Sequence, residues 1–121
     1  MAEGGNASFM MSARVKRNAL CLHLLTKADG KLIKAVIANG KGELVDSLCE
    51  CAHNILKGNV ALKATHKAKL RRYRGLMRSL VKRKVAKNKR KILQTGGFVS
   101  ALLAPLATSV ILPLVKSLLR A

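Results

Sequence analysis

Between residues 42 and 58 the chain reads GELVDSLCECAHNILKG, and Leu44, Val45, Leu48, Ala52, Ile55 and Leu56 recur at steps of one, three and four. That spacing follows the turn of an α-helix and predicts an amphipathic helix with this stripe inward. Glu43 and Asp46 stand near its positive N-terminal end, and Lys57-Gly58 supplies a stop. Upstream, ADGKLIKAVIANG repeats the design. Asp29 is placed to cap a helix start, Leu32, Ile33, Val36 and Ile37 keep helical spacing, and Asn39-Gly40 predicts a left-handed end. NALCLHLLTKA (18–28) predicts a shorter helix with Leu20 and Leu24, joined by Leu25, turned inward. Together these helices predict a small bundle over residues 18–62.

A fourth helix is predicted from Thr65 through HKAKLRRYRGLMRSLVKRK. Its apolar positions Leu70, Tyr73, Met77 and Leu80 step by three, four and three, a single stripe able to close the bundle. Gly75 weakens that helix by about 1 kcal/mol relative to alanine. A shorter helix near Asn88, KRKILQT, is predicted to stop at Gly96-Gly97. No strand signal rises above the helical one, so the expected fold class is all-α. The Gly-, Ala-, Ser- and Asn-rich residues 1–17 are expected to be disordered.

Charge changes the picture. The 121 residues hold 24 Lys and Arg against 5 Asp and Glu, a net charge of +19, and every acid (Glu3, Asp29, Glu43, Asp46, Glu50) lies in the first fifty positions. Residues 63–95 form a basic helical region. Its cations are Lys63, Lys67, Lys69, Arg71, Arg72, Arg74, Arg78, Lys82, Arg83, Lys84, Lys87, Lys89, Arg90 and Lys91. Like charges three and four apart oppose a helix, so folding does not account for this block. A polyanion does: duplex DNA presents one charge per roughly 1.7 Å of axis, and counterion release would drive binding. Phosphate-holding Lys and Arg dominate, and only Asn88 and Gln94 are amides suited to reading base edges, so binding without marked sequence preference is expected. With no Trp, one Tyr and two Phe, the chain also lacks platforms for stacking unpaired bases.

Residues 96–121 join a Gly-Gly pair, expected as a hinge, to an apolar C-terminal helix. Phe98 to Val115 is uncharged over eighteen residues, about 27 Å as a helix against a hydrocarbon core of roughly 30 Å. Pro105 and Pro113 interrupt it, and Arg90, Lys91, Lys116 and Arg120 flank it. Three destinations fit: a membrane, a docking surface on a partner or second copy, and the chain's own bundle. Contact with a membrane or partner is expected through Phe98, Leu102, Leu103, Leu106, Val110, Ile111, Leu112 and Leu114. A rival to the DNA reading follows, a small single-pass or membrane-associated protein whose basic stretch binds anionic lipid or sets topology.

At the junction, KRKVAKNKRKILQTGGFVSALLAPLATSVILPLV resembles the small basic core proteins of adenoviruses. The fuller pattern, from LLTKADGKLIKAVIANGKGELVDSLCECAHNILKGN through the GGF tail, covers about residues 20–115. It resembles small proteins encoded by Polinton (Maverick) and adintovirus elements. The resemblance implies a virion core component that condenses double-stranded DNA, residing in the virion core or host nucleus, with a tail that touches capsid protein or membrane. It also makes Gly96, Gly97 and Phe98 a processing site or hinge. Here Gln94 occupies the slot where adenovirus-type proteases favour an aliphatic residue before Gly-Gly.

Other signals are weaker. CECAH brings Cys49, Cys51 and His53 close, but on a helix Cys51 points away from the other two, and the paired Cys spacing of zinc sites is missing. Three cysteines fit no disulfide framework and suggest a reducing compartment. The start has only a short apolar run after Lys16 and Arg17 and no small-residue cleavage site, so no secretory signal is expected. Neither a phosphate loop nor a nucleophile-base pair is recognisable, so neither enzymatic activity nor a cofactor is expected.

Overall fold

The computed structural model describes residues 12–120, apart from the side chain of Ala86. Among these the chain is helical and has no strand, as the periodicities predict. In chain order the helices are α1 (Ala13–Arg17), α2 (Ala19–Lys27), α3 (Gly30–Asn39), α4 (Gly42–Leu56), α5 (Ala64–Arg71), α6 (Arg74–Lys82), α7 (Ala86–Leu93), α8 (Phe98–Leu106) and α9 (Leu112–Arg120). A π-helical turn over Ala107–Ile111 joins α8 to α9.

The central element is α4, which packs against α1, α6, α7 and α8. Its predicted stripe is the inward face: Leu44, Val45, Leu48, Ala52 and Ile55 are buried and Leu56 half-buried. It ends at Gly58, whose φ of 77° is the left-handed conformation that glycine adopts without a Cβ penalty. The start of α3 is likewise as predicted, with Asp29 Oδ1 accepting from the Leu32 amide at 2.8 Å. Its end is not. Gly40 is extended rather than left-handed, and its glycine identity answers to space: a Cβ there would meet the Val36 carbonyl oxygen at 2.6 Å.

The inward face of α2 is rotated from the expected one. Ala19, Leu22 and Leu25 are buried, whereas Leu20 and Leu24 are 49% and 67% exposed. The cause is the partner, since α2 packs against α8, the π-turn and α9, elements some eighty positions downstream. Within α3, Ile33 and Ile37 are buried while Leu32 faces out.

Ala13–Arg17, expected within a disordered segment, instead form α1, with Ser12 at its N-cap and Val15 fully buried. Ser12 donates to Glu50 through its amide (2.6 Å) and hydroxyl (2.7 Å), and Arg17 Nε donates to Glu43 Oε1 at 2.9 Å. One apolar anchor and carboxylates matched from α4 thus hold a short helix that would not persist alone. The remainder of that expected segment, residues 1–11, lies outside the described residues.

The predicted fourth helix is two helices. It breaks at Arg72-Tyr73, just before Gly75, and Leu70, Met77 and Leu80 still point into the core across the break. At the C-terminal end, Pro105 and Pro113 each lack an amide donor, and between them the ladder widens so that the Leu112 amide bonds Ala107 O. The Ser109 hydroxyl takes the Pro105 carbonyl at 3.0 Å. The whole stretch from Phe98 to Arg120 remains helical.

Candidate nucleic-acid interface

The basic block is carried by α5, α6, α7 and the turns between them. Twelve of its fourteen cations are exposed. Lys67, Arg71, Arg74 and Arg78 follow one another at steps of four, three and four and surround a single groove, so they share a face despite the break between α5 and α6. Lys69 and Arg72 lie off that line, and the Arg72 guanidinium sits 5.8 Å from the centre of the Tyr73 ring. Beyond them, Lys82 ends α6, Arg83 and Lys84 occupy the turn leading into α7, and Lys87 and Lys91 project from α7 into solvent.

The other two cations serve the fold. Lys89 Nζ lies 3.2 Å from Asp46 Oδ1, and Arg90 Nη1 donates to the Ile37 carbonyl. Together with Gln94 Nε2, which reaches the Lys34 carbonyl at 3.3 Å, they fasten α7 to α3 and α4. Of the two amides suited to base edges, only Asn88 is therefore exposed and free of a bond to α3.

The carboxylates explain why the block is uncompensated. Each one among the described residues is engaged within the N-terminal bundle or its contact with α7. Asp29 caps α3, Glu43 accepts from Arg17 and Asn18, Asp46 takes Lys89, and Glu50 takes Ser12 with Arg14 at 3.9 Å. The hydrogen bond from Arg17 holds the Glu43 carboxyl below the usual carboxylate range. Glu43, Asp46 and Glu50 stand three and four apart on α4, a spacing visible in the sequence whose partners are not, because Arg14 and Arg17 belong to a segment expected to be disordered and Lys89 meets Asp46 only through the docking of α7.

The apolar tail belongs to the core. Of the eight residues expected to meet a membrane or partner, Phe98, Leu102, Leu103, Leu106, Val110 and Ile111 are at most 1% exposed, packed within this chain. Leu112 and Leu114 are half-buried. Outward contact is left to the far end of α9, where Leu118 and Leu119 are 45% and 75% exposed.

The glycine pair, expected as a hinge, forms a hydrogen-bonded turn between α7 and α8. Gly97 has φ 78°, and the Phe98 amide closes the turn on Thr95 O at 3.1 Å. Tyr73 donates to the Gly96 carbonyl at 3.2 Å, and a Cβ at Gly97 would lie 2.8 Å from the same hydroxyl. The bond that processing would cut is followed by a fully buried Phe98, so a protease would need this turn to open first. Among the described residues no His, Cys, Asp or Glu cluster is arranged to hold a metal ion; Cys49 is half-buried, Cys51 buried and His53 exposed.

No family model, no curated protein and no solved structure matches this chain.

Proposed function

We propose that this protein is an architectural, virion-core-like protein that binds and condenses double-stranded DNA without marked sequence preference. The observation that carries the reading is the separation of charge. Among the described residues the acids are engaged by helix caps and ion pairs of the N-terminal bundle or by Lys89, while twelve cations of residues 63–91 face solvent with no carboxylate among them. Such a surface gains little for folding and gains counterion release on a polyphosphate. Twelve cations match about 20 Å of duplex at one charge per roughly 1.7 Å. The reading assigns the chain no catalytic step and places it in a virion core or a nucleus. Contact with capsid protein, a membrane or a second copy would be made through the exposed end of α9.

The test is duplex binding by the full chain as a function of salt, on two unrelated sequences. The logarithm of affinity should fall steeply with the logarithm of salt, at about 0.9 per phosphate neutralised. The triple variant Arg71→Gln/Arg74→Gln/Arg78→Gln should lower that slope by about 3. No binding at low ionic strength, or a slope near zero, would sink the reading.

One observation favours the membrane alternative: Phe98–Arg120 is a helical stretch of 23 residues with a mean hydropathy of 2.2 in its most apolar window. In this fold 56% of that window is buried within the chain, so insertion would require the tail to leave the core. Flotation of the full chain with neutral-lipid vesicles in high salt, where cation-headgroup attraction is screened, would support that alternative.

A further inference from the structure

The C-terminal end of α4, the loop that follows it, and the helices α5 and α6 enclose a half-open groove of about 450 Å³. Its accessible aliphatic surface comes from the half-buried Leu56 and Leu62, with Leu70 and Met77, each 3% exposed, closing the base. Its rim carries Lys67, Arg71, Arg74 and Arg78, and no carboxylate lines it. An apolar floor beneath a ring of uncompensated cations calls for a ligand with an anionic head and a hydrocarbon body.

Two properties narrow the class. The volume falls in the range of roughly 300–1,000 Å³ usual for small-molecule sites. No aromatic ring lines the groove, so a nucleobase would find nothing to stack on, whereas an aliphatic chain matches the floor. We infer that this groove binds a single-chain anionic amphiphile of the fatty-acid class, its carboxylate held by Arg71, Arg74 and Arg78 and its chain laid against Leu56 and Leu62. The guanidinium fork suits that head group, since it bonds a carboxylate with two parallel hydrogen bonds. This site does not depend on the nucleic-acid reading, although its rim uses some of the same cations.

The experiment titrates the full chain with dodecanoate below its micellar concentration, followed by calorimetry and by amide chemical shifts. Saturable binding at one site is expected, with shifts concentrated in residues 55–78. Dodecanol, which lacks the charge, and inorganic phosphate, which lacks the chain, should each bind at least about tenfold more weakly. Arg74→Gln/Arg78→Gln should raise the Kd by about tenfold or more, while the control Lys84→Gln/Lys87→Gln leaves it unchanged. Leu62→Asn, at a half-buried loop position, should weaken dodecanoate binding and leave duplex affinity as it was. Equal binding of dodecanol, non-saturating shifts spread over the whole cationic surface, or an equal effect of the control pair would overturn the proposal. So would tighter, competing binding by an acidic amphipathic peptide, which would assign the groove to a protein partner.

Discussion

The ring of Tyr73 lies 5.6 Å from that of Phe98, tilted by 36°, and the Tyr73 hydroxyl reaches past it to the Gly96 carbonyl. Tyr73 stands at the break between α5 and α6, and Phe98 opens α8. Tyr73 therefore ties the break between the cationic helices to the start of the apolar tail, beside the direct packing of α5 against α8. The two parts do not hang independently from the glycines; they share one core.

Two substitutions separate the components of the Tyr73 contact. Tyr73→Phe keeps the ring contact and loses the hydrogen bond, at a cost of about 1 kcal/mol. Tyr73→Ala also removes the ring from a half-buried site and should cost about 3 kcal/mol. Urea unfolding followed by circular dichroism measures both. Equal losses for the two variants would mean that the ring contact contributes nothing.

Glycine replacements should sort by backbone geometry. Gly97→Ala meets a φ of 78° as well as the Tyr73 hydroxyl, and should destabilise by about 1–2 kcal/mol. Gly75→Ala, early in α6 with open space where its Cβ would stand, should stabilise by about 0.5–1 kcal/mol. Thermal midpoints shifted in opposite directions are the expected readout.

Removing the tail should abolish the fold rather than liberate a DNA-binding half. The segment after Gly97 supplies Phe98, Val99, Leu102, Leu103, Leu106, Val110, Ile111 and Val115 to the core. At roughly 1.5–3 kcal/mol for each large side chain, their loss matches or exceeds the roughly 5–15 kcal/mol that holds a typical domain together. A chain ending at Gly97 should show a collapsed amide proton spectrum, and Leu102→Ala alone should cost about 2–5 kcal/mol. Well-dispersed amides in the truncated chain would place the tail outside the cooperative unit.

How far the sequence could be read depended on where each stripe finds its partner. In α4 one long run of apolar positions defines a face by itself, and five of its six predicted residues are buried. In α2, LCLHLL offers two faces of nearly equal apolarity, and the choice of Leu22 and Leu25 over Leu20 and Leu24 is made by α8 and α9. Local periodicity carries no information about a surface eighty residues away. The surroundings of the glycine pair were hidden for a related reason: Tyr73 bonds the Gly96 carbonyl, and nothing near position 73 announces that contact. Among the cations, composition could not tell Lys89 and Arg90 from their neighbours, because only the docking of α7 gives those two intrachain partners.

Cys51 offers a test of the core by proton linkage. It is 1% exposed on the inward face of α4, and burial, with smaller contributions from Glu50 and Cys49, pushes its thiol up to about 12 from a model-compound value of 9.0. The unfolded thiol ionises near the ordinary value. Below pH about 9 both states keep the proton and burial costs nothing; above it the unfolded chain releases a proton that the folded chain retains. Stability should therefore fall between pH about 9 and 12, with this thiol contributing up to about 1.4 kcal/mol per pH unit. The informative quantity is a difference: Cys51→Ala should show a shallower alkaline loss than the parent chain. In the same folded protein, a maleimide probe at pH 8 should modify Cys21 and Cys49, both half-buried, well before Cys51, whose thiolate fraction is lower by about a thousandfold than that of a free thiol. Early labelling of Cys51 would mean that α4 opens readily, and with it the clasp of Glu43, Asp46 and Glu50 that keeps the acids away from the cationic face.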